Sequence, residues 1–311
     1  MREIAVFSGS AHPRLAAEIC ENLAVPLQPV RIQRFANDCL EVQLQANCRE
    51  RDVFLIQPLV PPVQENLVEL LLMLDAARSA SAARVTAVIP YYSYARSDKK
   101  DKPRISIGGR LVADLLVTAG VGRVLTLTLH SPQVHGFFSV PVDHLHALRE
   151  LASHFRRRDL SRTVVVAPDL GYAKSAAEFA RRLGLPVAAG AKERISDTEV
   201  RITAIIGDVT DQNVIVIDDE ISRGTTVFEL LDRLRERGAR SVAVACTHGL
   251  FADNALDKLT AADDVTDVVC TNSAPVPTDH PKLTVLSVAP ALAEAIRRIH
   301  DGESVSSLFD H

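Results

Sequence analysis

No stretch of eighteen or more apolar residues occurs in the sequence, which predicts no membrane-spanning helix. Cysteine is sparse and unpatterned: Cys20, Cys39, Cys48, Cys246 and Cys270 are odd in number and none stand at CxxC spacing. That excludes a disulfide framework and a thiolate zinc site as organising devices. An excess of positive charge is also missing, since 35 Lys and Arg face 39 Asp and Glu for a net charge of -4. Nucleic acid and anionic membrane are therefore excluded as main partners, and any cationic site is local. No apolar leader or arginine-rich presequence precedes the strand pattern at Met1–Phe7, so a reducing cytoplasm is the expected location.

What is present is a regular alternation. The chain of 311 residues is long for a single core, and 47% apolar with 24% charged residues reads as globular, so two domains are expected. Apolar, β-branched runs at Ile4–Phe7, Val53–Ile56, Val85–Ile89 and Val124–Leu129 predict strands of a first half. A second half repeats them at Val164–Ala167, Val187–Ala189, Val214–Ile217, Val242–Cys246, Val265–Cys270 and Leu283–Val288. Amphipathic runs between them predict helices, among them Gln64–Arg78, Ile107–Ala119, Ala173–Leu183, Val227–Arg237 and Pro290–His300. The expected fold is α/β, with two similar domains, 1–146 and 147–311, each a mainly parallel sheet flanked by helices, and a tail that can pack back on the first.

Ligands of parallel sheets gather beyond the carboxyl ends of the strands, so the residues there carry the chemistry. Val214–Ile217 runs into Asp218-Asp219 and then a Ser/Gly/Thr turn before a helix. The strand is expected to end at the two acids. Backbone NH groups of such a turn and the helix dipole suit a phosphate, and the acids suit ribose hydroxyls or a metal ion. After Val85–Ile89 come Tyr91, Tyr92 and Tyr94, then Arg96, Lys99, Lys100, Lys102 and Arg104 within nine residues. Composition alone favours a solvated charged loop. The position after a strand favours a polyphosphate site with aromatic rings available for base stacking. His130 and Asp169 each follow a strand of a different half, and together would serve one divalent metal. Lys192-Glu193-Arg194 follows a short strand and precedes the polar stretch Ile195–Glu199; its two cations suit a transferring phosphoryl group beneath a mobile loop, and a routine surface turn is the plainer alternative.

These pieces form a family pattern. Val88-Ile-Pro-Tyr-Tyr-Ser-Tyr-Ala-Arg-Ser-Asp-Lys-Lys-Asp-Lys-Pro-Arg104, Leu129-His-Ser-Pro-Gln-Val-His-Gly-Phe-Phe-Ser-Val-Pro-Val-Asp143 and Pro168-Asp-Leu-Gly171 are the specific motifs. With Asp218-Asp219 and the segment Leu286–Ile296, they make the chain resemble ribose-phosphate pyrophosphokinases, also called phosphoribosyl pyrophosphate synthetases, along nearly its whole length. The resemblance implies Mg-dependent transfer of the β,γ-diphosphoryl group of ATP to the anomeric hydroxyl of ribose 5-phosphate, with AMP as second product. By position it implies ATP contacts at Phe35, Asn37, Asp38, Arg96, Ser97 and Lys99, metal service at His130 and Asp169, and catalysis by Lys192 and Arg194. Asp218, Asp219, Ser222, Arg223, Gly224, Thr225 and Thr226 would hold ribose 5-phosphate. Arg49, Ser81, Ser304 and Ser306 match an allosteric site, and the resemblance implies dimers assembled into a homohexamer.

The chain departs from the family at four points, one of them Ser79, which stands where a basic residue is common in the allosteric site. Ser97 stands where Gln is usual, and Asn37-Asp38-Cys39 replaces Asp-Gly-Glu. Ser222-Arg223-Gly224-Thr225-Thr226 replaces Asp-Thr-x-Gly-Thr, so strain is expected at Thr225 if that position needs a positive φ. An active synthetase is the leading expectation. A non-catalytic regulatory paralogue that joins an active synthetase is the alternative, and a phosphoribosyltransferase ranks last because it leaves the Tyr94-Ala-Arg96 and His130 motifs without a purpose.

Overall fold

The apolar runs become strands of two sheets in the structure, a computed structural model that describes residues 3–194, 200–276 and 280–308. In chain order the first elements are β1 (Ile4–Ser8), α1 (Pro13–Leu23), β2 (Leu27–Gln28), β3 (Val30–Arg34), β4 (Leu40–Leu44), β5 (Asp52–Ile56), α2 (Val63–Ser79), β6 (Arg84–Ile89), α3 (Gly108–Ala119), β7 (Arg123–Leu127) and β8 (Val142–Leu145). There follow α4 (Leu148–Phe155), β9 (Thr163–Ala167), α5 (Ala173–Leu183), β10 (Val187–Arg194), β11 (Val200–Ile206), β12 (Asn213–Ile221) and α6 (Thr225–Glu236). The last are β13 (Ser241–Gly249), α7 (Ala255–Ala261), β14 (Val265–Thr271), β15 (Leu283–Leu286) and α8 (Ala289–Asp301). Two units result, Met1–His146 with Ser287–His311, and Ala147–Leu286.

The first unit holds a parallel sheet in the order β2-β1-β5-β6-β7-β8. Ala5, Phe7, Val53, Leu55, Val85 and Ala87 point to one face and pack with Leu67, Leu70, Met73 and Leu74 of α2 and Val112 and Leu116 of α3. The second unit holds the order β11-β10-β9-β12-β13-β14-β15, parallel except for the β10–β11 pair. Its strands alternate cleanly. Val164, Val166, Val214 and Val216 join Leu230, Leu234 and Leu259 of α6 and α7. Their neighbours Val165, Ala167, Ile215 and Ile217 join Leu151, Phe155 and Phe179 of α4 and α5. Helices therefore cover both faces, which is why these strands read as continuous apolar runs.

Four short strands, β2, β3, β4 and β8, and the edge strand β11 have no counterpart among the sequence-predicted strands. β3 and β4 form a separate antiparallel hairpin whose residues are partly exposed or exposed, so they carry no long apolar run. β10 also runs on to Arg194, because antiparallel pairing with β11 supplies the hydrogen bonds that its sequence does not advertise.

The C-terminal helix is fastened to the first sheet by a buried acid. Asp52, fully buried at the start of β5, accepts from the Arg84 guanidinium and lies 2.9 Å from His300 Nδ1. Arg84 also donates to the carbonyls of Ile299, at 3.2 Å, and His300, at 3.0 Å. Replacing Arg84 by methionine leaves the buried carboxylate with too few donors. The expected cost is about 2 to 3 kcal/mol, read as a lowered urea midpoint relative to wild type, whereas Arg84→Lys retains part of the stability.

Candidate active site

β12 does not stop at its acids. Its register with β13 continues through Asp218↔Cys246, Glu220↔His248 and Ile221↔Gly249, so the sequence expectation of a strand ending at Ile217 is corrected: ladder pairing carries both acids within the strand. Asp219 is 5% exposed. Burial pushes the Asp218 carboxyl well above the usual carboxylate range, and the charges of Asp219 and Asp169 add to the effect, although the Asp219 NH donates to Asp218 Oδ1 at 2.9 Å.

Asp169 follows β9 and answers Lys192. Lys192 Nζ donates to Asp169 Oδ2 at 2.6 Å. Burial would raise the Asp169 carboxyl, but that hydrogen bond, the lysine charge and the NH groups of Tyr172 and Gly171 outweigh it and hold the group below its usual value. Lys192 lies within β10, which sets aside the plainer alternative of a surface turn there. A register shift between Ala191 and Lys192 in the β10–β11 ladder marks a bulge, a device that re-aims a side chain. Arg194 ends β10, paired through its backbone with Val200. The expected loop from Ile195 to Glu199 lies outside the described residues.

Tyr172 belongs to this cluster and carries no signal in the sequence beyond its place after Pro168-Asp-Leu-Gly171. Its phenol is pushed well up by burial and by the acids Asp219 and Asp218. It remains a neutral hydroxyl beside the acid pair.

Past Ile221 the chain turns through Ser222 and Arg223 to Gly224, which takes φ +73° and precedes the first residue of α6. Thr225 opens the helix. The strain expected at Thr225 is therefore absent: the left-handed conformation falls one position earlier, on a glycine. A Cβ on Gly224 would stand 3.0 Å from Phe228 Cε2. No side chain caps α6, which leaves its first amides open to an anion. Arg223 Nε sits 2.8 Å from Asp253 Oδ2.

In the first unit the basic segment is anchored at both ends. Ser97 Oγ accepts from Gly108 N at 2.8 Å, and Ser97 O accepts from Gly109 N at 2.9 Å, so this serine closes the loop onto α3. Asp98 Oδ2 accepts from Gln133 Nε2 at 2.5 Å. Arg96 and Lys99 are exposed. Two of the three tyrosines expected to offer stacking faces are core residues: Tyr91 and Tyr92 are 5% and 3% exposed, and the Tyr92 hydroxyl donates to Gly109 O at 3.1 Å. β7 ends at Leu127, ahead of His130, because Thr128 takes φ +41°. Leu129 N donates to His144 Nε2 at 2.8 Å, which fixes the chain just before the exposed His130.

The β3–β4 turn presents Phe35, 44% exposed. Asn37 Oδ1 accepts from Cys39 N at 3.3 Å. Asp38, at φ +70°, accepts from Arg34 at 2.5 Å, and Arg34 also reaches Glu65 at 2.5 Å. Both acids raise the Arg34 guanidinium above its usual value. Of the four residues matched to an allosteric site, Arg49 and Ser81 are brought near each other by the bond from Glu50 N to Ser81 O at 2.9 Å. Ser306 N donates to Ser304 Oγ at 3.2 Å in the tail.

The profile of the N-terminal domain of ribose phosphate pyrophosphokinase matches residues 4–120, and that of the phosphoribosyl synthetase-associated domain matches residues 193–310. A Deinococcus radiodurans ribose-phosphate pyrophosphokinase is 54% identical over 98% of this chain and 97% of its own. The chain belongs to the ribose-phosphate pyrophosphokinase family. A Streptomyces coelicolor protein, provisionally given that family name, is 71% identical over 100% of this chain and 98% of its own. The crystal structure of phosphoribosylpyrophosphate synthetase from Mycobacterium smegmatis superposes with a TM-score of 0.91 at 38% identity, covering 97% of this chain and 100% of that one.

Within this pyrophosphokinase chain the turn before α6 separates two substitutions. Gly224→Ala forces an L-residue into the left-handed region and should cost about 1 to 2 kcal/mol. Thr225→Gly relieves nothing and should cost up to about 1 kcal/mol through backbone entropy. Denaturation midpoints of the two variants check this, and a stabilised Thr225→Gly protein would contradict the assignment of the strain to Gly224.

Proposed function

We infer that the protein is a ribose-phosphate diphosphokinase, transferring the β,γ-diphosphoryl group of ATP to the anomeric hydroxyl of ribose 5-phosphate and releasing AMP. The observation that carries the reading is the cluster in the second unit: Lys192 paired with Asp169, the acids Asp218 and Asp219 beside them, and an uncapped helix start after Gly224. Diphosphoryl transfer needs little covalent chemistry from a protein. It needs alignment of two substrates and neutralisation of charge that grows on the transferring group.

In this reading the turn from Ser222 to Thr226 receives the 5-phosphate on backbone amides, and Asp218 and Asp219 accept hydrogen bonds from ribose hydroxyls. Lys192 releases Asp169 and turns its ammonium to the transferring group, with Arg194 as the second cation. In the first unit Arg96 and Lys99 neutralise the triphosphate, Ser97 fixes the loop that carries them, and Phe35, Asn37 and Asp38 serve the adenine of a neighbouring subunit. That last role supposes the family's hexamer built from dimers, with Arg49, Ser81, Ser304 and Ser306 lining an allosteric site.

In this reading Asp169, a hard oxygen donor, and His130, an exposed imidazole, would each serve Mg, with phosphate oxygens and water filling its other positions. When bound, Mg supplies charge neutralisation on the polyphosphate. A cytoplasmic setting accords with an ATP-using enzyme in which no described helix is long and apolar enough to cross a membrane.

Purified protein supplied with ATP, ribose 5-phosphate and Mg should yield AMP and phosphoribosyl pyrophosphate in equal amounts. No product across metal and phosphate conditions would favour the regulatory paralogue, whose motivating features are the altered Ser222–Thr226 turn and the altered Asn37-Asp38-Cys39 segment. Lys192→Ala should lower kcat roughly a hundred- to a thousandfold with little change in KM, as expected for a charge used in the transition state. A raised KM at unchanged kcat would contradict that role.

A further inference from the structure

The turn that follows β13 is held in an unusual backbone conformation directly opposite Arg223. Phe251, Asp253 and Asn254 take φ values of +45°, +55° and +59°. Asp and Asn enter the left-handed region more readily than other L-residues, whereas a bulky aromatic such as Phe251 does so only where surroundings impose it. Here the surroundings are identifiable. Leu250 N and Phe251 N both donate to Ile221 O, at 3.0 and 3.1 Å, which binds the turn to the last residue of β12. The Phe251 ring lies over Gly249, where a Cβ would come within 2.4 Å of Phe251 Cε2. Lys258 Nζ donates to Asp253 O at 3.1 Å. The anchor and the lysine fix the backbone of the turn that carries Asp253, whose carboxylate lies 2.8 Å from Arg223 Nε.

Both partners stay wet, at 76% and 63% side-chain exposure. An exposed pair of this kind amounts to a factor of about five or less in an equilibrium constant. It is strong enough to set where the guanidinium rests and weak enough to be exchanged. A sugar phosphate carries close to two negative charges near neutral pH and offers three acceptor oxygens to a guanidinium fork. Arg223 occupies the turn whose amides lead into α6, two residues before Thr225.

We propose that Arg223 is a phosphate-selecting residue of the ribose 5-phosphate loop, with Asp253 as its competing counter-charge. In the free protein Asp253 holds the guanidinium, and the 5-phosphate takes it over on binding. This rests on the assignment of residues 222–226 to that phosphate. The contact favours a dianionic terminus over an unphosphorylated sugar.

The two partners then have opposite effects. Calorimetric titration of the full chain with ribose 5-phosphate, without ATP, should show Arg223→Met weakening binding about tenfold. Asp253→Asn should tighten it up to about fivefold. Arg223→Lys should recover part of the loss, and adding Asp253→Asn to Arg223→Met should change nothing further. Binding of ribose itself should be insensitive to all of them. Two single variants that weaken binding alike, as a merely structural pair would, overturn the proposal, and so do two that match wild type. If wild-type protein fails to bind ribose 5-phosphate at all, the loop assignment falls with it.

Discussion

Asp218 and Asp219 are neighbours on β12, where burial disfavours the charge of Asp218 and the charges of Asp219 and Asp169 add to the penalty. Much of the second unit is arranged around that conflict. Parallel pairing with β13 fixes the acids within the strand. Lys192 holds Asp169 in its charged form from a bulge in β10. Tyr172 contributes a phenol that stays neutral beside them. Such a concentration of acids is a poor way to stabilise a fold, and an effective way to hold acceptors ready for hydroxyls and cations.

The surrounding architecture makes the conflict tolerable. Both faces of the second sheet are sealed by apolar residues from α4 and α5 on one side and α6 and α7 on the other. The acids lie at the carboxyl end of that sheet, where helix starts rather than helix ends gather. The turn to α6 then places a glycine at the one position that needs a left-handed backbone, so the departure of this turn from the usual family pattern leaves it unstrained at Thr225.

Much of this is legible in the residues. Strands buried on both faces announce themselves as apolar runs, and the central strands and main helices are readable within a few positions. The β3–β4 hairpin and the edge strand β11 are less legible, because partly exposed strands carry mixed composition and owe their existence to pairing. The continuation of β12 through two acids contradicts the local reading for the same reason: ladder hydrogen bonds override the polarity of the side chains. Within the site, family motifs point to Lys192, Asp169 and the acid pair. Tyr172 and Asp253 carry no pattern and emerge only from the fold. Tyr91 and Tyr92 show the reverse case, conspicuous in sequence yet occupied by the core.

The central claim, that the acid pair is kept at a cost to stability for the sake of its ligands, is tested most directly by melting wild type and Asp218→Asn with and without saturating ribose 5-phosphate and Mg. A carboxyl whose pKa is raised by folding loses stability as pH climbs above its ordinary range, so the neutral variant has its advantage at pH 8 and none near pH 3. The account predicts that ligand-free Asp218→Asn melts about 2 to 4 °C higher than wild type at pH 8, while wild type gains about 2 to 3 kcal/mol from ligand at a hundredfold excess over Kd and the variant far less. A variant that melts no higher than wild type, or that gains as much from the ligands, would contradict it.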